Sequence, residues 1–407
     1  LRYLQNLQFK TTFEASREKT LLKQLVPHLI TDIEFTIPYW SLKDRIKYSC
    51  GLWLYDLMSF DKLHTHLNRQ QTTERLGCDL NQNGAFVYHD AITVDYRLVM
   101  HVLKMAQAYG AVISNYMKVN EILFNDKQKA IGVKTDRFNI YADTVVSCTG
   151  AWSKDVTRSK GTHIVVSKKF INQSLVLPSS DGRIIFCIVN ENDITIGTTD
   201  NAYEGDIDDV RSNENEIMFL LNNVNKHITN KISANDIKYT YSGLRPLINT
   251  HGSTSKASRD FKITNGSYIS VVGGKMTTYR LMAEKTVDLI SPVKSVTNKL
   301  RLFPSNLKTG LYARYGSLAS YISQTKKLKG SDKYYQDEIR YVVNEEMAVH
   351  LSDVLLRRTG IAYEYQLDKN HLVPYVAAEM SKILQWTKKE MHSELDMYYD
   401  YVSNYLI

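Results

Sequence analysis

The stretch Val271-Val272-Gly273-Gly274-Lys275-Met276-Thr277-Thr278-Tyr279-Arg280 reads as a strand end, a tight turn and a helix start. Ile269, Val271 and Val272 form an apolar run that stops at the paired glycines. Leu281, Met282, Ala283, Val287 and Ile290 then recur at helical spacing. Two glycines let a backbone come close to a ligand, and the amides opening a helix favour negative charge. A ligand with an anionic edge suits such a turn, as does the pyrimidine edge of a flavin. An ordinary strand–turn–helix with an incidental lysine is the plain alternative.

Upstream of that turn the pattern alternates between helices and strands. Residues 11 to 26 carry an amphipathic helix pattern that ends at Pro27, and residues 41 to 58 carry a second. The second mixes Leu42, Ile46, Leu52, Trp53, Leu54, Leu57 and Met58 with Lys43, Arg45 and Lys47, which suits packing on the core or lying on an anionic membrane surface. A strand around Phe86 to Tyr88 leads into a helix from Asp95, closed by Gly110. Ala111-Val112-Ile113 and the stretches near Ile131 to Lys134 and Thr144 to Cys148 are predicted strands. The last is apolar enough for a buried parallel strand, and Thr149-Gly150-Ala151-Trp152 follows as a small-residue turn at its carboxyl end.

From residue 160 to 270 the texture is β-rich, with strands expected at His163 to Ser167, Arg183 to Val189, Asp193 to Gly197 and Ser267 to Val272. Residues 291 to 308 form a connector, and helices are expected near 316–327, 336–358 and 374–400. The fold class is therefore α/β: an incomplete Rossmann-like domain with a β-rich substrate domain (1–292), then an α-helical C-terminal domain (305–407).

The chain has 407 residues, 43% hydrophobic and 23% charged, within the range of globular proteins. Its net charge of +8 suits anionic partners, yet the basic residues are scattered and form no nucleic-acid-binding array. No apolar run reaches the length of a membrane span. Cys148 and Cys187 sit in apolar runs and are expected in the core as free thiols. No metal-ligand spacing occurs among the 11 histidines.

Several cations stand in conspicuous settings: Arg2 in Leu1-Arg2-Tyr3-Leu4, Arg245 before Pro246, Arg259 before Asp260, and Lys275 after the glycine pair. Arginine forks and a lysine would hold a phosphorylated small substrate. His163, in Lys160-Gly161-Thr162-His163-Ile164-Val165-Val166, heads a β-run. Histidine is the usual acceptor of an alcohol proton near neutral pH, although a lone strand histidine is commonly structural.

Taken in order, these segments resemble the FAD-dependent glycerol-3-phosphate dehydrogenases of the D-amino-acid-oxidase-like flavoprotein superfamily. The motifs that carry the resemblance are Leu1-Arg2-Tyr3-Leu4, Val94-Asp95-Tyr96-Arg97-Leu98, Thr149-Gly150-Ala151-Trp152, the His163 segment and Ile196-Gly197-Thr198-Thr199-Asp200. Tyr241-Ser242-Gly243-Leu244-Arg245-Pro246-Leu247, Ser258-Arg259-Asp260-Phe261, the Gly273-Gly274-Lys275 turn and Leu355-Leu356-Arg357-Arg358-Thr359-Gly360 continue the series. The resemblance implies FAD-dependent oxidation of sn-glycerol 3-phosphate to dihydroxyacetone phosphate, with hydride passing to flavin N5 and electrons to quinone. It implies His163, Arg245 and Arg259 as catalytic residues and Arg2 and Lys275 as phosphate-side cations. Thr149, Gly150, Gly273, Gly274, Lys275, Met276 and Thr277 would then contact the cofactor. A peripheral place on the cytoplasmic face of the membrane, contact with anionic lipid and a homodimer are further expectations. The alternatives are a glycerol-3-phosphate oxidase, a related small-substrate flavin oxidase, or a non-catalytic remnant that only binds.

Family members open with a strand, a Gly-x-Gly-x-x-Gly turn and a helix, and none of the 19 glycines here forms that spacing. The sequence is accordingly expected to be N-terminally truncated, and the chain as written to be inactive alone.

Overall fold

A computed structural model describes residues 9–59, 63–167, 170–248, 260–367 and 371–406. Helix α1 (Phe9–Leu25) stops before Pro27 and is followed by β1 (Ile30–Tyr39), α2 (Leu42–Ser59), β2 (Thr65–Asn68) and α3 (Arg69–Leu76). Asn68 caps α3 with a reciprocal Gln71 bond, and Gly77 ends it in the left-handed conformation. Next come β3 (Gly84–Thr93), α4 (Asp95–Ala108), β4 (Val119–Phe124), β5 (Ala130–Thr135), β6 (Asn139–Tyr141) and β7 (Val146–Ser147). The β-rich part holds β8 (Val156–Ser167), β9 (Leu175–Pro178), β10 (Ile184–Val189), β11 (Asp193–Gly197), β12 (Asn201–Ala202), α5 (Glu214–Asn225) and β13 (Ile237–Ile248). Then β14 (Phe261–Asn265), β15 (Ile269–Gly273) and α6 (Tyr279–Val287) bracket the glycine-pair turn.

Among the described residues, nine strands make one mixed sheet in the order β12-β8-β11-β10-β9-β1-β3-β2, with β13 on the other edge of β8. Its core face is continuous branched and aromatic side chains, including Ile164, Val166, Leu175, Leu177, Ile185, Cys187, Ile194 and Ile196. A second sheet, β14-β15-β7, contains the parallel pair β7/β15. This mixed α/β architecture, with a helical C-terminal part, agrees with the sequence-based fold class.

Several local expectations need correction. Ala111-Val112-Ile113 is not a strand; Val112 is 95% exposed because the run leaves the Gly110 turn with no strand among the described residues to pair with. The strand expected over Thr144–Cys148 shrinks to Val146–Ser147, parallel as expected but not buried. Cys148 is exposed, not a core residue, since this run borders a cavity; Cys187 is fully buried. The helix expected near 316–327 is only a 3-10 turn, Gly316–Tyr321. The 336–358 helix is α8 (Gln336–Glu345), after the short α7 (Gly310–Tyr315), and then a separate π-type turn, Asp353–Arg358. The 374–400 helix is two, α10 (Val373–Leu384) and α11 (Lys388–Tyr405), after the short α9 (Ile361–Glu364). Met347 and Gln385 take left-handed backbone at these breaks.

The tyrosines are used as core in the helical part: Tyr315, Tyr334 and Tyr398 are among its largest fully buried side chains. A buried ion pair ties it to the rest. Arg97, on α4, donates to Glu346 Oε2 at 2.7 Å and Oε1 at 2.9 Å, and also to the carbonyls of Arg314 and Arg358. The Arg97 guanidinium lies 4.1 Å from the Tyr315 ring centre. Gly360 has no side chain because Tyr96 Oη would lie 2.2 Å from its Cβ. The Val94–Leu98 and Leu355–Gly360 motifs thus meet each other, well inside the molecule.

Beside this pair, His28 Nε2 and His101 Nε2 lie 3.0 Å apart, and His101 Nδ1 bonds the Arg97 carbonyl at 2.8 Å. Burial first and the Arg97 charge second hold both rings neutral, lowering His28 to about 4 and His101 to about 3 from 6.5. Both values are depressed in the folded chain, so unfolding takes up protons as pH falls below 6.5. Thermal midpoints measured from pH 7 down to pH 4 should therefore fall, and fall less steeply in His101→Gln. Equal slopes for the two proteins would rule the pair out as the source.

Candidate active site

Antiparallel pairing puts directly opposite residues on one face of a sheet. In the register of β13, β8 and β11, Tyr241 faces His163 and His163 faces Gly197. Two residues along, Gly243 faces Gly161, and two further on Arg245 faces Ser159. The face therefore carries an imidazole and a guanidinium around a floor of three glycines. A Cβ on Gly161 would lie 2.1 Å from Arg245 Nη2, and one on Gly197 would lie 2.1 Å from His163 Cδ2. Among the described residues, a Cβ on Gly243 would meet nothing within 4 Å, so they leave the space above it open.

Each polar group is held from behind. The Tyr241 ring stacks on His163 with centroids 4.8 Å apart and planes 11° from parallel. Arg245 donates to Thr198 Oγ1 at 2.7 Å and to the Thr199 carbonyl at 3.2 Å, with Asp200 at 3.8 Å. The fully buried Asp200 carboxylate is bonded in turn by the Ser159 hydroxyl. Pro246 costs no bond to β8: it has the parity of Thr240, whose N–H points away from β8 to the Leu406 carbonyl at 2.7 Å. On the opposite face, Lys160 and Thr162 both reach Glu216 at 2.9 Å.

Burial first and the Arg245 charge second lower His163 to about 4. The ring is neutral at physiological pH and can accept a proton. Its Nδ1 is buried and, among the described residues, has no hydrogen-bond partner.

The turn after β15 lies against the end of β13, since a Cβ on Gly273 would meet the Asp260 carbonyl at 2.6 Å and the Ile248 side chain at 3.1 Å. Gly273 and Gly274 have φ of 77° and 85°, the left-handed backbone that glycine adopts without strain. Gly150, Gly273, Gly274, Lys275 and Met276 border one cavity of about 510 Å³ at the carboxyl ends of the parallel strands β7 and β15. Thr149 precedes Gly150 on an exposed turn, and Thr277 lines a second cavity with Lys275 and Met276. The Lys275 ammonium is shielded from solvent.

His163 and Arg245 are thus brought together, and so are the glycine-turn residues. Neither cavity that Lys275 borders includes His163 or Arg245; the groups are linked through the β13–β15 contact. Arg2 and Arg259 lie outside the described residues. Sequence reasoning missed Gly161, Gly197, Gly243, Tyr241 and Thr198 as parts of the site. A period-two signal was present, with glycine two residues before both His163 and Arg245.

A family model described as FAD dependent oxidoreductase matches residues 38–280. The chain belongs to that family. The cofactor of this FAD-dependent oxidoreductase is FAD, and a model described as the C-terminal domain of alpha-glycerophosphate oxidase matches residues 267–391. The aerobic glycerol-3-phosphate dehydrogenase of Bacillus subtilis is 27% identical, over 97% of this chain and 84% of the relative. That of Escherichia coli is 28% identical, over 98% and 89%. The crystal structure of glycerol-3-phosphate dehydrogenase from Bacillus halodurans, complexed with FAD, superposes with a TM-score of 0.77 at 24% identity, covering 96% of this chain and 85% of that one.

The residues present fit the flavin end of FAD. The glycine pair carries no side chains of its own and turns in left-handed backbone on the wall of the cavity at the parallel strand ends, and a buried ammonium follows it.

Gly161→Ala separates site from scaffold. The three atoms nearest the added methyl all belong to the far end of the Arg245 side chain. The thermal midpoint should therefore stay close to the parent's, while kcat/KM falls roughly 10²-fold as the guanidinium is pushed aside. Unchanged kinetics would remove Arg245 from the reaction.

Proposed function

We propose that this FAD-dependent oxidoreductase oxidises sn-glycerol 3-phosphate to dihydroxyacetone phosphate and passes the electrons to a quinone. One observation carries the reading: a desolvated, neutral imidazole and a fixed guanidinium flank an open glycine floor. The relatives named glycerol-3-phosphate dehydrogenase support the substrate.

His163 accepts the proton of the C2 hydroxyl. Arg245 stabilises the negative charge that develops on that oxygen, in a site where burial strengthens the attraction. FAD supplies the two-electron acceptor for the hydride leaving C2. Lys275 serves the flavin edge and the phosphate side, with Arg2 and Arg259 assigned to the substrate by sequence. A phosphate dianion calls for several such cations.

Turnover by the FAD-loaded protein, followed with a quinone and separately as peroxide under air, tests this. Quinone-linked turnover is the expected result. Peroxide formed in step with substrate, without quinone reduction, would make oxygen the acceptor, and no turnover of glycerol 3-phosphate would remove the reading.

Helix α2 supports a peripheral place on the cytoplasmic face of the membrane. One face packs Leu52 and Tyr55 into the body; the other leaves Leu42, Ile46, Trp53 and Leu57 each more than half exposed. Lys43, Arg45 and Lys47 are exposed on the same helix, which suits an anionic lipid surface. Among the described residues, no helix is long and apolar enough to cross a membrane. Co-sedimentation with anionic vesicles should fall as salt rises and fall further in Trp53→Glu. Binding indifferent to both would refute the contact.

A further inference from the structure

Arg245 rises from β13, yet the groups that hold it lie beyond the next strand. β8 has β13 along one edge and β11 and β12 along the other. The guanidinium crosses β8 at Gly161, where the atoms nearest a Cβ would be Nη2, Cζ and Nη1 of Arg245. It ends against Thr198, Thr199 and Asp200, the residues that join β11 to β12. We infer that this connection is a guanidinium receptor and that Asp200 is its charged member, a positioning residue that acts on the reaction through Arg245. The inference rests on the glycerol 3-phosphate reading above.

Burial and geometry carry it together. The Asp200 side chain is 0% exposed and that of Arg245 is 24% exposed, so the carboxylate lies behind the cation and the cation faces the open floor. A buried carboxylate is costly unless hydrogen bonds and an opposite charge compensate it. Here both act on one oxygen: Oδ1 accepts from the Ser159 hydroxyl and lies 3.8 Å from Arg245 Nη1. Ser159 is itself fully buried and pairs with Arg245 in the β8–β13 register, so both side chains project from the same face. The backbone of Asp200 is fixed from a further direction. Arg183, just before β10, donates to its carbonyl at 2.8 Å and is held in turn by Asp181 at 2.7 Å.

The separation decides what Asp200 does. At 3.8 Å it is too far for a hydrogen bond to Nη1, which donates to the Thr199 carbonyl, while Nη2 donates to the Thr198 hydroxyl. A carboxylate in direct forked contact would cancel most of the positive charge. One set back behind neutral acceptors offsets the desolvation of the guanidinium and fixes its direction, and the face toward the substrate stays positive.

Rescue by free guanidinium in the FAD-loaded protein tests this. Arg245→Ala should lose most turnover of glycerol 3-phosphate, and guanidinium chloride, kept well below denaturing concentrations, should restore part of it by filling the place over Gly161. Asp200→Asn keeps the shape and an acceptor for Ser159 but removes the charge. Added to Arg245→Ala, it should raise the half-rescue concentration about ten-fold. With Arg245 in place, Asp200→Asn should lower kcat/KM about ten-fold; in Arg245→Ala without guanidinium it should cost nothing more. Absence of rescue, equal half-rescue concentrations, or an equal loss with and without Arg245 would overturn the proposal and leave the reaction reading intact. Ser159→Ala decides the matter if Asp200→Asn does not fold: it too should raise the half-rescue concentration, and an unchanged value overturns the proposal. No turnover of glycerol 3-phosphate by the unsubstituted protein would sink the reaction reading itself, and the positioning role with it.

Discussion

Exchanging His163 for asparagine should lower kcat for glycerol 3-phosphate roughly 10²- to 10⁴-fold, the range spanned by loss of a positioned base. Asparagine is smaller than histidine and polar, so it fits beside Gly197 and the Tyr241 ring without overpacking, and the fold should persist despite loss of the stack. The pH profile offers a sharper readout. With His163 lowered to about 4 by burial and Arg245, the base stays competent down to mildly acid pH. The acid limb of kcat/KM in the parent should therefore fall near 4, well below the 6.5 of a solvated imidazole. It should disappear in His163→Asn. A limb near 6.5 would mean that the ring is not desolvated, and an unchanged kcat would take His163 out of the mechanism.

The largest stability effect should come from Arg97→Met. Arg97 and Glu346 are 1% and 0% exposed at their side chains, and the pair is bidentate. Removing the cation strands a carboxylate in the interior, a loss of about 3–5 kcal/mol in comparable buried pairs. Chemical denaturation should show it as a lower midpoint or as failure to fold. Adding Glu346→Leu to Arg97→Met should recover part of the loss, since no buried charge then remains unpaired. Recovery should stay incomplete because the Arg314 and Arg358 carbonyls also lose their donor. Full stability in the single variant would show that the pair contributes nothing.

The sequence carried the strand–turn–helix at Gly273–Gly274 plainly, because paired glycines and a change from strand to helix spacing are local signals. The β8 strand around His163 was legible for the same reason. The glycine floor was not, since it exists only once β8, β11 and β13 are adjacent, and β8 and β13 lie about 80 residues apart in the chain. No single-chain pattern fixes that register. The misread runs share a cause: Ala111–Ile113 and Thr144–Cys148 are apolar, but the first has no neighbour to pair with and the second lines a cavity. The helix breaks at Met347 and Gln385 were invisible because neither residue is the glycine or proline that usually marks such a turn. Arg97 sits in a motif shared with dehydrogenases, yet it joins the helical part to the body and does not touch the glycine floor.

The bond from Thr240 to the Leu406 carbonyl makes one strand amide a reporter of two regions. Thr240 adjoins Tyr241, the ring that supports His163, and its outward amide is met by a residue that follows α11. Loosening of that helix would withdraw the acceptor and free the strand beside the imidazole. Hydrogen exchange at this amide therefore follows the docking of α11 and the order of the reaction centre together.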